Sequence, residues 1–195
     1  QMMEDIAMMR ALPNLTVIVP ADSLEAERAT IAAANFKGPV YLRLGRESTP
    51  IFTDKSDFKI GKAELLREGK DATIIACGLM TYYATLAADK LKEEGLNVRV
   101  LNMHTVKPID QKLILNRIKN RKAIFTLEDH NIIGGLGSAI GEIVSEKHKG
   151  KLIFKRFGVK DIYLHEIGTE NYLRNAHGIS SSKVVKTILR LLSKK

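Results

Sequence analysis

A chain of 195 residues that is 45% hydrophobic and 27% charged has the balance of a globular protein with a real core and room for one or two domains. No apolar run approaches the roughly 20 residues a membrane helix needs, and the start, Gln1-Met2-Met3-Glu4-Asp5, lacks the basic-then-apolar order of a secretory signal. The single cysteine, Cys77, has no partner within the chain, which excludes a disulfide framework and leads us to expect a reducing, cytoplasmic setting.

The formal charge of +9 is unevenly placed. Residues 1–50 carry five Lys/Arg against six Asp/Glu, and the remainder carries 26 against 16. Lys112, Arg117, Lys119, Arg121 and Lys122 form one basic cluster; Lys147, Lys149, Lys151, Lys155, Arg156 and Lys160 form another. Clusters of this kind either attract anions and nucleic acid or are solvated faces. Tryptophan is absent and no aromatic residues interleave with them, as a base-stacking platform would require. Solvated faces are therefore expected, with no nucleic-acid partner.

In chain order, Met2–Arg10 reads as a short helix ended by Pro13-Asn14, with Glu4 and Asp5 at the end where the helix dipole favours negative charge. Leu15–Val19 is a β-branched run, hence a strand, stopped by Pro20. Asp22 followed by Glu25 has capping-box spacing for a helix that ends before Gly38. Val40–Leu44 is a second strand, ending at Gly45-Arg46. This strand–helix–strand unit cannot close a parallel sheet alone, so the chain is expected to start inside a domain. Residues 51–61, containing Ser56 and Gly61 and following Ser48 and Pro50, read as a linker.

Lys62–Leu66 and Ala72–Cys77, separated by Gly69-Lys70-Asp71, predict a hairpin. Alternation is regular from there: a helix over Tyr82–Glu94 stopped by Gly95, a strand over Val98–Met103, and a helix capped by Asp110. Then come a strand over Lys122–Leu127, a helix over Leu136–His148, a strand over Leu152–Phe157, a short helix near Glu170–Asn175 and an amphipathic helix from Ser181. The expected fold class is α/β: a doubly wound, mostly parallel sheet with one antiparallel edge hairpin, preceded by a partial α/β segment.

The stretch Leu127-Glu128-Asp129-His130-Asn131 to Gly137-Ser138 places acids, a histidine and glycines at a strand's carboxyl end, where α/β proteins bind ligands. Its glycine spacing fails the Gly-x-Gly-x-x-Gly nucleotide fingerprint, and no Gly-Lys-Ser/Thr follows. An anion at the helix N-terminus or a packing role for the glycines are the two readings left. Asp129-His130 and His165-Glu166 are acid–histidine pairs, but neighbours on a chain seldom face each other. No histidine or cysteine spacing suits a metal. Tyr82 and Tyr83 suit packing, and Cys77 lies in a buried strand with nothing nearby to activate it. Arg46 is more suggestive: a guanidinium at a strand's carboxyl end can grip a phosphate with two parallel hydrogen bonds. Arg43, inside the strand, suits a structural role or pairing with an acid.

Several of these motifs, in this order, resemble transketolases. Gln1–Asn14, Val19-Pro20-Ala21-Asp22 and Gly38–Arg46 look like the later part of that family's pyrimidine-binding domain. Val106-Lys107-Pro108-Ile109-Asp110 and Glu128–Gly137 look like its C-terminal domain. The resemblance implies residues 1–50 as a pyrimidine-domain remnant, 51–61 as linker and 62–195 as the C-terminal domain. It also implies a thiamine-diphosphate enzyme, with a divalent Mg or Ca ion, that moves a two-carbon ketol unit between sugar phosphates, usually as a homodimer. Partners would be the remainder of the chain or a separate N-terminal subunit. No catalytic, cofactor-binding or metal residue carries over; Arg46 carries over as the arginine that grips the sugar phosphate, and Gln1 matches a position beside the site. The resemblance places the Glu128–Gly137 stretch as a packing turn close to a domain or subunit boundary. Leu44-Gly45-Arg46 and Glu128-Asp129-His130-Asn131 favour transketolase over the related deoxyxylulose-phosphate synthases. A non-catalytic assembly or regulatory module is the alternative from another class.

Overall fold

The computed structural model describes residues 2–46, 49–53, 58–119 and 122–193. Gln1, Ser48, Arg121 and linker residues 54–57, with Ser56 among them, lie outside the described residues. Helix α1 spans Asp5–Ala11, strand β1 Thr16–Ile18, α2 Ser23–Ala34 and β2 Val40–Leu42. The second part contains β3 (Glu64–Arg67), β4 (Ala72–Ala76), α3 (Met80–Glu93), β5 (Val98–Asn102), β6 (Thr105–Lys107) and α4 (Gln111–Ile118). It continues with β7 (Ala123–Asn131), α5 (Leu136–Lys147), β8 (Ile153–Val159), α6 (Glu170–Ala176) and α7 (Ser181–Leu192). Among the described residues no helix is long and apolar enough to cross a membrane.

The main sheet has the order β3-β5-β4-β7-β8, with β5, β4, β7 and β8 parallel and β3 antiparallel at the edge. The expected α/β, mostly parallel architecture is present. The edge hairpin is not. β3 pairs with β5 rather than with β4, its neighbour in sequence. All five residues of β4 are buried, and a strand buried on both faces belongs between two partners; β3, half-buried throughout, takes the rim. The turn signals were genuine, but the chain uses them to pass the start of β5. Asp71 N donates to Asn97 O at 3.0 Å, and Asn97 N donates back to Asp71 Oδ2 at 2.7 Å. Gly69 passes so close that a Cβ there would stand 2.4 Å from Arg99 N.

One face of this sheet packs Ile74, Val100 and Phe125 against Ala84, Ala87 and Leu91 of α3 and Val184 and Ile188 of α7. The other packs Ile75, Leu101 and Ile124 against Ile114 and Ile118 of α4 and Ile140 of α5. Ile6, Val17 and Val19 from the first fifty residues join that second cluster. A three-stranded sheet, β2-β1-β6, ties the parts together: β1 is parallel to β2 and antiparallel to β6, which comes from the later chain.

Local chemistry sets the helix ends. Asp22 Oδ1 accepts from Glu25 N at 2.9 Å and starts α2; Asp110 Oδ1 accepts from Leu113 N at 3.1 Å and starts α4. The capping box is altered, because Glu25 Oε2 accepts from Ala21 N rather than from Asp22 N. Asp22 also accepts from Phe52 N, Thr53 N and Thr53 Oγ1 at 2.7–2.8 Å, so the linker is tied back to α2 at its start. Burial opposes the Asp22 charge, but these donors outweigh it and hold its carboxyl below the ordinary range.

Candidate functional site

Glu128, at the end of the parallel part of β7, is fully buried. Its Oε2 accepts from Leu136 N at 2.7 Å and its Oε1 from Gly137 N at 2.8 Å. A carboxylate thus satisfies the first amides of α5, the place an anionic ligand would otherwise take. Burial pushes the Glu128 carboxyl up to about 7, although these two amides and the Arg156 and Arg10 charges pull it down. The glycines leave room for this. A Cβ at Gly135 would stand 2.0 Å from Glu128 Oε2 and 2.6 Å from His130 Nδ1; one at Gly137 would stand 2.7 Å from Thr126 Oγ1.

His130 is also fully buried. Its Nδ1 donates to Asn131 O at 2.6 Å, and its Nε2 accepts from Ala7 N at 3.3 Å. That pair of bonds fixes the neutral Nδ1–H tautomer, and burial, the largest influence, lowers its basicity. Arg10 of α1 donates to Gly134 O at 2.5 Å and pairs with Glu142 at 2.8 Å. The stretch is therefore a seam between α1 and the main sheet in which Glu128, His130 and Asn131 are committed, while Asp129 lines the cavity beside it. His130 does not face Asp129. Glu166 lies 3.5 Å from His177, and exposed His165 beside it acts on it through its backbone amide and charge.

Beside the seam lies a cavity of about 490 Å³. Tyr41, Arg43 and Arg46 line it from the first part, and Cys77, Asp129 and His177 from the second. Arg43 pairs with buried Asp5 at 2.8 Å and donates to Asp129 O at 3.0 Å, as expected for an arginine inside a strand. Tyr41 OH donates to the same Asp5 carboxylate at 2.8 Å. Burial disfavours the Asp5 charge, but Arg43 and Tyr41 outweigh it and hold the carboxyl below its ordinary range. Arg46, four residues beyond β2, is exposed and makes no hydrogen bond or ion pair with the described residues. Burial, above all, pushes the Cys77 thiol upward, so it is not an activated nucleophile. Tyr82 and Tyr83 pack as expected: Tyr82 against Phe52 at 5.8 Å, and Tyr83 under the Arg174 guanidinium at 4.6 Å.

Sequence reasoning missed Asp5, Tyr41, Arg174 and His177. Arg43 in a strand was a signal that an acid would meet it; nothing local marked His177. In the basic clusters, Arg117 pairs with Glu68 at 3.1 Å and Arg156 donates to Ile132 O at 2.8 Å, while the described lysines are exposed.

The buried carboxylates Asp5, Asp22, Glu25 and Glu128 each already accept from protein donors. Among the described residues no group of three His, Cys, Asp or Glu is placed to hold a metal ion.

Fold and cavity together define a class: a doubly wound α/β sheet packed against a strand–helix–strand unit from the first fifty residues. The model of the transketolase C-terminal domain matches residues 61–184, and that of the transketolase pyrimidine-binding domain matches residues 1–51. The chain belongs to the transketolase family. A 6-deoxy-6-sulfo-D-fructose transketolase subunit of a Clostridium species is 39% identical over 194 residues, covering 99% of this chain and 59% of that one. A 1-deoxy-D-xylulose-5-phosphate synthase of Halothermothrix orenii is 34% identical, covering 98% of this chain and 30% of that one. A solved split-gene transketolase, an inactive β4 tetramer, superposes with a TM-score of 0.91 at 39% identity, covering 99% of this chain and 63% of that one. The chain thus spans about three fifths of the length of the sulfofructose transketolase subunit and of the split-gene transketolase chain.

Proposed function

We propose that this chain is the C-terminal portion of a thiamine-diphosphate-dependent transketolase, working with a cofactor-bearing remainder to move a two-carbon ketol unit from a ketose phosphate to an aldose phosphate. In this reading residues 1–50 end the pyrimidine-binding domain, 51–61 link, and 62–195 form the C-terminal domain. The cofactor supplies the carbanion chemistry, and a divalent metal accompanies it in the remainder. The subunit description of one relative and the split gene of another support a separate N-terminal subunit and a homo-oligomeric assembly.

The observation that carries the role of this chain is the contrast between two arginines at the end of β2. Arg43 is held by Asp5 and by the Asp129 carbonyl. Arg46 is exposed at the cavity, with no partner among the described residues. A guanidinium left unpaired at a strand's carboxyl end suits the sugar phosphate. The test is ketol transfer measured with the chain alone and then with the cofactor-bearing subunit added. Activity is expected only in the second case; turnover by the purified chain alone would sink the division of labour.

A further inference from the structure

Strand β2 ends at Leu42, and the residues that follow it to Arg46 line the cavity. The last backbone bond that ties this segment to the sheet is Arg43 N donating to Ile18 O at 2.9 Å. Beyond it, Leu44 and Arg46 are exposed, and a Cβ at Gly45 would meet nothing within 4 Å. Leu44, Gly45 and Arg46 make no hydrogen bond with the other described residues. Three residues of extended chain span up to about 10 Å. The place of the Arg46 guanidinium is therefore set by whatever fixes residue 43.

The Arg43 side chain does this. Its Nε donates to Asp5 Oδ2 at 2.8 Å, and its Nη2 donates to Asp129 O at 3.0 Å. Asp5 begins α1 and Asp129 belongs to β7, so one planar group ties the end of β2 to a helix and to a strand of the main sheet. Both anchors are themselves held. Asp5 is buried and also accepts from Tyr41 OH at 2.8 Å. The chain entering α1 is fastened to the tip of β7, where Asn131 N donates to Met3 O at 2.6 Å.

The brace uses what is particular to arginine. Donors in a rigid fork reach a carboxylate and a carbonyl on two different elements, whereas a lysine keeps the charge but brings it to a single nitrogen. As a stability device such a pair is a poor choice, since a buried ion pair gains little over well-packed apolar side chains. What it does supply is fixed geometry, and it stands at the root of a segment that has no other anchor among the described residues.

We propose that Arg43 is the positioning residue for Arg46: its fork between Asp5 and the Asp129 carbonyl holds residues 44–46 so that Arg46 meets a sugar phosphate already in place. The inference rests on the reading of Arg46 as the phosphate grip. Arg43 touches no substrate itself, because its donors are directed at Asp5 and Asp129. Holding a binding group in place beforehand removes the ordering cost that binding would otherwise carry. Loosening the brace therefore weakens recognition of the phosphate and leaves the transfer step alone.

The test uses the chain assembled with its cofactor-bearing subunit and two acceptors, glyceraldehyde 3-phosphate and unphosphorylated glyceraldehyde. Arg46→Ala should abolish the preference for the phosphorylated acceptor. Arg43→Lys should raise KM for glyceraldehyde 3-phosphate about tenfold, while KM for glyceraldehyde and kcat for either acceptor move less than about twofold. In the double variant KM should stay at the Arg46→Ala value, because both changes act on one contact. Asp5→Asn leaves Arg43 an acceptor without the charge and should show the same split at about threefold; it carries the test should Arg43→Lys fail to fold. Equal KM rises for the two acceptors, a fall in kcat for both, or an additive double variant would overturn the positioning role and leave Arg46 as the phosphate grip. A preference for the phosphorylated acceptor that survives Arg46→Ala would remove the phosphate reading, and the positioning role with it.

Discussion

The seam at Glu128–Gly137 and the cavity beside it are adjacent, built from overlapping strands, and opposite in chemistry. In the seam, Glu128 takes two amides, His130 is bonded through both ring nitrogens, and Arg10 reaches two carbonyls and a carboxylate. In the cavity, Arg46, His177 Nε2 and Asp5 Oδ1 are unsatisfied by the described protein, and α3 is uncapped. A stretch rich in acids, histidine and glycine has spent its polar groups, Asp129 apart, on itself and on α1. The cavity-lining groups without a hydrogen bond are scattered along the chain, at Asp5 Oδ1, Arg46 and His177 Nε2.

Substitutions can break that contrast, and the largest effect belongs to Gly135→Ala. Its Cβ would stand 2.0 Å from the Glu128 carboxylate in a seam with no room to give, so a loss of about 3 kcal/mol or more is expected in denaturant unfolding. Next comes Asp5→Ala, which leaves the mostly buried Arg43 without its carboxylate. A loss of about 3 kcal/mol is expected, and a double-mutant cycle with Arg43→Ala should recover part of it. Glu128→Ala should cost about 2 kcal/mol by orphaning the α5 amides.

Glu128 also carries a pH signature. Its carboxyl rises from an ordinary 4.5 to about 7 because it is buried. The folded chain therefore binds this proton more tightly than the unfolded chain. The stability it contributes is complete below pH 4.5 and is lost as pH rises to about 7. Glu25, likewise raised by burial to about 7, acts in the same sense. His104 acts in the opposite sense: burial lowers it from 6.5 to about 4, so its contribution is lost as pH falls across that window. Glu128→Gln should flatten the decline between pH 4.5 and 7 in urea midpoints; an unchanged slope would show that Glu128 titrates normally.

The smallest expected effect on stability sharpens the other side. Arg46→Ala should shift stability by less than about 0.5 kcal/mol. In the complete enzyme the same change should raise KM for phosphorylated sugars about tenfold or more while leaving cofactor affinity unchanged. Equal losses in both would give Arg46 a folding role instead.

Much of the fold is legible in the sequence because its signals are local. Apolar runs give the strands, Asp22 and Asp110 give caps, and 3.6-residue spacing gives the last helix. Strand pairing is not local. Gly69-Lys70-Asp71 announces a turn but does not say which strand comes alongside, and β5 inserts between β3 and β4. β6, three residues before Pro108, is too short to show alternation. Within the cavity, Arg46 could be read from its place after a strand, and the acid beside Arg43 from its being in one. His177 could not be read at all, since its ionic neighbour Glu166 comes from the irregular stretch before α6, where no periodicity fixes which residues meet.

The strand order of the smaller sheet has one further consequence. β1 hydrogen-bonds on one side to β2 and on the other to β6, and Ile6, Val17 and Val19 sit in a core shared with β5, α4 and α5. The chain is therefore topologically stitched, with its first fifty residues clamped by a strand encoded sixty residues later. A protease cut between Ile51 and Phe58 would sever the backbone without releasing a piece. The two halves should stay together through gel filtration and part only when denatured.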